Sequence, residues 1–362
     1  MKKKLIIFMP SVEGGGVEKN FFIISNYLAN KLNNVLLITA EKNLSKKIKN
    51  IEIVYPKSDF WRKKGRFRKY IICVLLLIKI LFNNRNILLF TFQANLYAIL
   101  VSKLFGVKII SRSNSSPSGW SKNLIKNYIY KIGLNLADEI IVNSIEFKNE
   151  MKQKFSLKPI HIYNPLNKDE IIKLSKKKVK KIYPKNILKI VCVGRLVDQK
   201  DQLTILKGIN LIKDLYVFKL VLIGRGNNYT LISQYIKKNN LSKVVKIFYT
   251  SNPFPYVRQA DIFLLSSKYE GLPNVLLESI ALKKFVISSK CPTGPNEILL
   301  NGKGGLLFEV GNYKKLSKKI IFYIKNKKKC KNMINKSFQN LNRFDYNKNL
   351  LRYYSVLKRY IC

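Results

Sequence analysis

Residues 5–39 read LIIFMPSVEGGGVEKNFFIISNYLANKLNNVLLIT, and this stretch decides the predicted fold. Residues 5–9 are a short apolar run that ends at a proline, and residues 14–16 are a flexible glycine turn. Residues 17–32 have the apolar spacing of an amphipathic helix, and residues 34–39 form a second apolar run. A strand, a glycine loop, a helix and a strand in this order predict a βαβ unit of a parallel sheet.

The alternation of apolar runs and helical patterns continues to residue 142 and resumes at residue 188. Near-continuous apolar strands are typical of parallel sheets that helices cover on both faces. Residues 168–185, in between, are rich in lysine and have little apolar periodicity, which indicates a domain boundary. We therefore predict an α/β protein with two Rossmann-like, doubly wound domains, residues 1–180 and 181–340, followed by a helix over residues 341–362.

The positive charge of the chain is large and evenly distributed. The 362 residues include 68 Lys and Arg against 20 Asp and Glu, which gives a formal net charge of +48. Residues 1–180 contribute +23 and residues 181–362 contribute +25. Because nucleic-acid-binding proteins concentrate their basic residues in a patch or tail, we expect no nucleic-acid partner. Only 11 of the basic residues are arginine, so each arginine and each acidic residue is more informative than a lysine.

The cysteines Cys73, Cys192, Cys291, Cys330 and Cys362 are widely spaced and form no C-x-x-C pair. This spacing argues against a zinc site and against a disulfide framework, so a reducing, cytoplasmic location is the simplest expectation. No apolar stretch reaches the length of a membrane span. The sequence contains neither a D-x-D motif nor another carboxylate cluster that suggests a metal site.

Glycine-containing loops follow three of the predicted strands, and their glycines are Gly15 and Gly16, Gly194, and Gly224. Backbone N–H groups in such loops can bind a phosphate at a helix N-terminus, although a tight turn needs the same glycines. The loop after Gly194 also carries Arg195 and Lys200. These two cations can clamp a diphosphate from two directions, although an exposed arginine at a strand end is a simpler interpretation.

Residues 266–278, SSKYEGLPNVLLE, are the most informative segment. Pro273 suits the first turn of a helix, and the N–H groups around it then form an anion site at the helix N-terminus. Glu270 precedes this turn, and Glu278 lies about one helical turn further along. A glutamate on an amphipathic helix is often simply solvated, but Glu278 lies within the otherwise apolar residues 275–282.

These motifs resemble those of the retaining glycosyltransferases of family 4, also called glycosyl transferases group 1. Residues 270–278 are similar to the E-x7-E motif of that family, and the supporting motifs follow the family order at residues 15–19, 193–200, 223–226, 260–264 and 294–297. The resemblance spans nearly the whole chain and is strongest over residues 188–310. It implies the GT-B fold, in which two Rossmann-like domains face each other across a cleft and a C-terminal helix crosses back to the N-terminal domain.

The resemblance also implies a role for each matching residue. Arg195 and Lys200 would neutralise the diphosphate of a nucleotide-sugar, Glu270 would contact the donor sugar, and these three would be the catalytic residues. Glu278 would bind the ribose. The other donor-binding positions that the resemblance implies are Gly15, Gly16, Gly194, Gly224, Gly271, Leu272, Pro273 and Asn274.

The expected reaction is transfer of a sugar, with retention of anomeric configuration, from a UDP-hexose or UDP-N-acetylhexosamine to a lipid-linked glycan. Such reactions build lipopolysaccharide, other cell-surface polysaccharides and glycoprotein glycans. No metal or other cofactor is expected, because cationic side chains can stabilise the leaving group.

One feature departs from the family pattern. Many relatives carry a histidine in the N-terminal domain near the substrates, but the single histidine here, His161, precedes the linker and is predicted to be structural. Arg112 and Asn114 follow a predicted strand at the corresponding edge of the cleft. They are candidates for contacts with the acceptor.

Residues 61–70, WRKKGRFRKY, mix aromatic and basic side chains. This composition suits contact with an anionic membrane surface, and it predicts a protein bound to the inner face of the cytoplasmic membrane. The basic residues that would make this contact are Arg62, Lys63, Lys64, Arg66, Arg68 and Lys69. The alternative is a basic loop that precedes an ordinary helix packed on the sheet.

Two other functions fit parts of the sequence. A GT-B epimerase or a phosphorylase-like enzyme would share the fold, although nothing in the sequence suggests the pyridoxal-phosphate lysine of a phosphorylase. A non-catalytic basic protein that binds membranes or nucleic acid would share the charge.

Overall fold

The computed structural model describes residues 3–12, 14–42, 44, 47–63, 65–114, 117 and 123–362, without the side chains of residues 62, 63 and 124. The chain divides into two compact units. Unit 1 comprises Met1–Pro165 and Asn347–Cys362, and unit 2 comprises Leu166–Tyr346.

Unit 1 alternates strands and helices as the sequence predicts. Its strands are β1 (Lys4–Phe8), β2 (Val35–Ile38), β3 (Glu52–Val54), β4 (Ile87–Thr91), β5 (Lys108–Arg112), β6 (Glu139–Val142) and β7 (Ile160–His161). Its helices up to Pro165 are α1 (Gly16–Lys31), α2 (Asp59–Lys63), α3 (Arg66–Asn83), α4 (Asn95–Leu104), α5 (Leu124–Asn135) and α6 (Ile145–Phe155).

The described strands of unit 1 form a seven-stranded parallel sheet in the order β3-β2-β1-β4-β5-β6-β7. In β1, Leu5 to Phe8 are all buried, because a central parallel strand has helices on both faces. The buried faces of α3, α4 and α5 contribute to one core cluster, to which α3 adds Cys73, Leu77 and Leu81.

Unit 2 repeats the pattern. Its strands are β8 (Leu188–Val193), β9 (Phe218–Ile223), β10 (Val245–Phe248), β11 (Ile262–Leu265), β12 (Phe285–Ser289) and β13 (Leu306–Phe308). Its helices are α7 (Lys168–Ser175), α8 (Gln202–Asn210), α9 (Tyr229–Lys238), α10 (Phe254–Gln259), α11 (Asn274–Ala281), α12 (Pro295–Ile298), α13 (Tyr313–Lys325) and α14 (Lys327–Gln339). Short 3₁₀ turns occur at Asp198–Lys200, Leu300–Gly302 and Asn340–Phe344.

The sheet of unit 2 is also parallel, in the order β10-β9-β8-β11-β12-β13. From β8 the chain proceeds outward to β9 and β10, and from β11 it proceeds outward on the other side. β8 and β11 therefore flank the topological switch point, where open parallel sheets bind their ligands. The predicted class, an α/β protein with two doubly wound parallel sheets, is confirmed.

The boundary between the units falls fifteen residues before the predicted position at residue 180. The reason is α7, whose N-terminus is capped by the Asn167 side chain accepting from the N–H of Glu170 at 3.0 Å. This helix packs against α10 and α11 of unit 2, and Asn252 donates to the carbonyl of Leu174 at 3.1 Å. Helix α7 was not predicted because only two of its residues, Ile171 and Ser175, are buried. Its sequence therefore lacks the regular apolar spacing that indicates an amphipathic helix.

The last helix, α15 (Tyr346–Ile361), lies almost entirely in unit 1. The N–H of Lys3 donates to the carbonyl of Ile361 at 3.1 Å, and Arg352 donates to the carbonyl of His161 at 2.6 Å. Tyr353 on this helix is completely buried. The helix is therefore a structural part of the unit that contains β1.

Candidate active site

Two loops of unit 2 meet at the switch point of its sheet. One follows β8 and contains Gly194, Arg195 and the turn that ends at Lys200; the other follows β11 and ends where α11 begins. β8 and β11 are paired, with Ile190 opposite Ile262. Because the carboxyl ends of parallel strands lie at the same edge of the sheet, the two loops are neighbours.

Lys200 and Glu270 form an ion pair between these loops. Lys200 Nζ donates to Glu270 Oε1 at 2.5 Å, and the two side chains are 16% and 8% exposed. Ser267 Oγ donates to the same carboxylate oxygen at 2.6 Å. An ammonium group has three N–H donors, so Lys200 can bind Glu270 and a phosphate oxygen at the same time. The structure thus brings two of the three predicted catalytic side chains into contact.

Hydrogen bonds to the backbone hold this pair in place. Ser266 Oγ bonds to the carbonyls of Lys200 and Asp201, each at 2.8 Å, and Gln199 Nε2 donates to the carbonyl of Tyr269 at 2.9 Å. Burial, together with the Glu270 carboxylate, raises the pKa of the nearby Cys291 thiol, which is therefore neutral. Backbone hydrogen bonds thus connect the two loops on which the ion pair lies.

Arg195 is placed differently from Lys200. Its side chain is exposed, while its carbonyl accepts from Gln202 Nε2 at 2.8 Å. An exposed guanidinium on a fixed backbone can bind a diphosphate by two N–H groups at once. The structure therefore leaves Arg195 on the same loop as Lys200, with its cationic end accessible.

Glu278 lies on α11 and is 9% exposed. Its neighbours Leu276 and Leu277 are buried in the core, whereas Glu278 lines a small pocket. The other residues that line this pocket are mainly apolar and are Val193, Pro253, Phe254, Val257, Phe263, Val275 and Ser279. The Glu278 carboxylate can accept hydrogen bonds from hydroxyl groups of a ligand.

The turn at Gly271, Leu272 and Pro273 is buried and leads directly to Asn274, the first residue of α11. The segment after β12 supports it: Thr293 Oγ1 donates to the carbonyl of Glu270 at 2.7 Å. At Gly294, where φ is +90°, an added Cβ would lie 2.3 Å from the carbonyl oxygen of Gly271. Glycine is therefore required at this position by its backbone conformation and by its close approach to the turn.

We predict that Gly294→Ala lowers the free energy of unfolding by about 2 kcal/mol or more, because strain and overlap add. Gly302 is a matched control, since its φ is +88° but nothing lies within 4 Å of an added Cβ. Gly302→Ala should therefore cost only the backbone strain, about 1 kcal/mol. Chemical denaturation of both variants measures the difference, and equal losses would contradict this account of Gly294.

Gly224 has a structural explanation. An added Cβ would lie 1.9 Å from the carbonyl oxygen of Gly194, in the loop that carries Arg195. The N–H of Gly194 in turn donates to the carbonyl of Ile223 at 3.0 Å. The close packing of the two loops accounts for the glycine at position 224.

In unit 1, the glycine loop follows β1, which with β4 flanks the switch point of the first sheet. Gly15 and Gly16 are exposed, and Asn20 Nδ2 donates to the carbonyl of Gly16 at 2.9 Å. The loop opens α1, as predicted.

Arg112 is completely buried, at the end of β5. Its guanidinium donates to Tyr353 Oη at 2.9 Å, to Asn164 Oδ1 at 2.8 Å and to Asn114 Oδ1. We correct the predicted acceptor contact for Arg112, because a fully enclosed guanidinium with these partners anchors α15 instead. Asn114 is only partly buried and stays a candidate.

The predicted basic segment lies at α2 and the start of α3. Lys64 is outside the described residues, as are the side chains of Arg62 and Lys63. Lys69 is ion-paired with Glu41 at 2.6 Å, and the guanidinium of Arg68 lies over the ring of Phe60 at 4.7 Å. Lys69 and Arg68 are thus engaged within the protein, while Arg66 is exposed.

The buried face of α3 packs on the sheet, as the alternative interpretation of this segment predicts. Within the described residues, no group of three or more His, Cys, Asp or Glu side chains could hold a metal ion. No helix in the same part of the chain is long and apolar enough to span a membrane.

Two doubly wound parallel sheets, with a cation–carboxylate pair at the switch point of the second, define an α/β protein of two Rossmann-like units. Over 98% of this chain, the fold is similar to that of Anabaena Alr3699/HepE, solved in complex with UDP and glucose, with a TM-score of 0.79, 17% identity and 99% coverage of that chain. The GT-B fold is thereby confirmed.

Residues 173–340 match the family described as Glycosyl transferases group 1. An uncharacterized glycosyltransferase, MJ1059 of Methanocaldococcus jannaschii, is 31% identical over 218 residues, which cover 56% of this chain and 53% of that protein. A Campylobacter jejuni enzyme, N-acetylgalactosamine-N,N'-diacetylbacillosaminyl-diphospho-undecaprenol 4-alpha-N-acetylgalactosaminyltransferase, is 27% identical over 86% of this chain and 87% of its own length. Residues 173–340, which make up most of unit 2, thus match the group 1 family, and the region matched to the M. jannaschii relative spans about half the length of that protein.

Proposed function

We propose that this chain is a glycosyltransferase that moves a hexose or N-acetylhexosamine from its UDP derivative to a lipid-linked glycan, with retention of anomeric configuration. The observation that carries the proposal is the Lys200–Glu270 pair, buried at the switch point of unit 2. In this position Lys200 can bind the phosphates of a nucleotide-sugar donor, and Glu270 can contact the sugar that is attached to them.

Three cationic or dipolar groups are proposed to bind the diphosphate. Lys200 and Arg195 supply positive charge, and the N–H groups at the start of α11, after Gly271, add the positive end of a helix dipole. These groups stabilise charge as it develops on the leaving phosphate, which is the electrostatic task that a metal ion performs in other transferases.

The two glutamates are proposed to have different tasks. Glu278, which lines the small apolar pocket, accepts hydrogen bonds from the ribose hydroxyls. Glu270, fixed by Lys200 and Ser267, contacts the donor sugar and stabilises positive charge near its anomeric carbon.

In the proposed reaction, the bond between the anomeric carbon and the phosphate oxygen breaks as the acceptor oxygen bonds to the same carbon from the same face. The acceptor hydroxyl gives its proton to the departing phosphate oxygen. The products are the extended glycan and UDP, so atoms and charge balance without another reactant.

The names of similar proteins support the choice of substrates. The Campylobacter relative is named for a diphospho-undecaprenol-linked acceptor, and the Anabaena structure holds UDP and glucose. We propose that unit 1 binds the acceptor, with Asn114 as one contact. A lipid-linked acceptor suits an enzyme that works at the inner face of the cytoplasmic membrane, in the assembly of polysaccharide, lipopolysaccharide or glycoprotein glycans.

We expect UDP to raise the melting temperature of the protein and GDP and ADP to raise it less. Ligand binding to the folded state stabilises it in proportion to the logarithm of ligand concentration over Kd. Glu278→Ala should weaken UDP binding about tenfold or more, because a hydrogen bond to a charged group is lost. Titration calorimetry measures this change.

Glu309→Ala is the control for that titration, since this glutamate lies in the same unit and forms an exposed ion pair with Lys315. It should bind UDP as the wild type does. A stronger response to GDP or ADP would overturn the UDP assignment, and an unchanged UDP affinity in Glu278→Ala would overturn the ribose assignment.

A further inference from the structure

Helix α5 exposes a continuous apolar stripe. Its large side chains with the greatest exposure are Ile125, Tyr128, Ile129, Ile132 and, at its C-terminal cap, Leu136. Their spacing, at positions i, i+3, i+4, i+7 and i+11, puts them on one face of the helix. Side chains of this kind usually face a core, so a stripe turned to the surface indicates contact with another apolar phase.

The two preceding helices have the same feature. α4 exposes Tyr97, Leu100 and Leu104, spaced by three and four residues. Its opposite face, with Ala98 and Ile99, is buried. Each helix therefore has two apolar faces, one in the core and one on the surface.

Helix α3 completes the set with exposed Phe67, Ile71, Leu75 and Phe82. Among the described residues, 23 large apolar side chains are exposed, and 12 of them lie on α3, α4 and α5 when Leu136 is included. These helices account for a small part of the chain, so the exposed apolar surface is strongly concentrated.

The three helices are adjacent. α4 contacts both α3 and α5, and the rings of Phe82 and Phe105 at the ends of α3 and α4 are 4.9 Å apart. At Gly133 on α5 an added Cβ would lie 2.6 Å from Leu96 on α4, so glycine allows these helices to approach closely. The exposed stripes thus form one surface, which we call the apolar wall.

The charges of the apolar wall have one sign. The sequences of α3, α4 and α5 contain no Asp or Glu. Lys79, Lys126 and Lys131 are exposed on them. Asp138, which follows α5 in the sequence, is already ion-paired with Lys103 at 2.7 Å and with Lys108 at 2.9 Å.

This charge pattern indicates which partner the apolar wall contacts. In a symmetric dimer the wall would face a copy of itself, and its lysines would repel one another. An anionic bilayer supplies both an apolar layer and negative headgroups, to which basic residues near the surface are attracted. We propose that α3, α4 and α5 together form the surface by which unit 1 docks on an anionic membrane.

The wall overlaps the segment 61–70 at the start of α3, where Phe67 is exposed, but it does not rely on Lys69 and Arg68, which are engaged within the protein. The proposal rests on the proposed function in one respect: a lipid-linked acceptor gives the enzyme a reason to bind a bilayer. The mechanism is insertion of the exposed side chains into the interface between headgroups and acyl chains, with lysines contacting the phosphates.

The test is sedimentation of the full chain with vesicles of phosphatidylcholine and phosphatidylglycerol in equal parts, and with vesicles of phosphatidylcholine alone. The wild type should bind the mixed vesicles, less so at high salt, and should bind phosphatidylcholine vesicles at least tenfold more weakly. Ile129→Glu with Ile132→Glu should reduce binding to the mixed vesicles about tenfold or more. Lys126→Gln with Lys131→Gln should reduce it about tenfold, because two cations are removed.

The matched control is Leu215→Glu with Val217→Glu in unit 2, which introduces the same charge at apolar positions that are 68% and 75% exposed. Its vesicle binding should equal that of the wild type. The substituted positions on α5 are exposed, so their variants should keep the melting temperature of the wild type.

UDP binding, measured on the same samples, separates the two proposals. A chain that binds UDP but not the mixed vesicles overturns the docking surface and leaves the donor site. Vesicle binding without UDP binding overturns the donor site instead. Equal loss of vesicle binding in the control, or a dimer in solution that the α5 glutamates convert to a monomer, contradicts the wall as a membrane surface.

Discussion

Replacing Glu270 by glutamine is expected to lower kcat for sugar transfer about 10²–10³-fold, with little change in UDP affinity. Glutamine has the size of glutamate, so the hydrogen bond from Ser267 can persist. The substitution removes the negative charge of Glu270. In the proposed mechanism this charge stabilises the anomeric carbon while its bond to the phosphate oxygen breaks. Steady-state transfer to a lipid-linked acceptor measures kcat, and titration calorimetry measures UDP affinity.

Glu309→Gln is the control for this substitution. Glu309 and Lys315 form an ion pair at 2.5 Å, the same distance as between Glu270 and Lys200. Unlike the Lys200–Glu270 pair, both side chains of the Glu309–Lys315 pair are more than half exposed. Exposed ion pairs contribute little to stability. Transfer by Glu309→Gln should equal that of the wild type, and undiminished transfer by Glu270→Gln would remove Glu270 from the catalytic residues.

Lys200→Ala should also lower kcat about 10²–10³-fold, because the leaving diphosphate loses a cation in a largely buried site. It should in addition lower the free energy of unfolding by about 3 kcal/mol, since Glu270 is left buried without its partner. Lys315→Ala, on the exposed pair, should cost at most about 1 kcal/mol. Thermal and chemical denaturation measure the stabilities, and transfer assays measure kcat.

A double variant separates the two effects of Lys200. In Lys200→Ala with Glu270→Gln, no unpaired charge remains, so most of the lost stability should return. Transfer should stay as low as in the single variants, because two groups that act together are not additive. Recovery of transfer along with stability would mean that Lys200 supports the fold and has no role in leaving-group departure.

Much of the fold could be predicted because its signals are local. In residues 5–39 the apolar runs and the glycine turn directly reflect a buried strand and a tight loop, which β1, α1 and β2 reproduce within a few residues. The short helix α7 was missed for the opposite reason. Its stability comes from packing against α10 and α11, distant in sequence, and it has almost no apolar face of its own.

The candidate site also combines residues that the sequence predicted with contacts that only the folded chain reveals. The sequence singled out Lys200 and Glu270 but not their contact, which depends on the order of the strands: their loops follow β8 and β11, and these strands are neighbours only in the folded sheet. The contact of Ser267 with Glu270 has no sequence signal except a polar pair at the end of an apolar strand. The partner of Arg112, Tyr353, lies 241 residues away, so only the folded chain reveals that this arginine is structural.

The most direct test of the central claim is mass spectrometry of the glycan after the protein is incubated with a UDP-sugar panel and an undecaprenyl-diphosphate-linked acceptor. We predict an added mass of one hexose or one N-acetylhexosamine with the wild type and with Glu309→Gln, and almost none with Glu270→Gln. Equal product from Glu270→Gln, or UDP binding by the wild type without any extended glycan over the whole panel, would contradict the account.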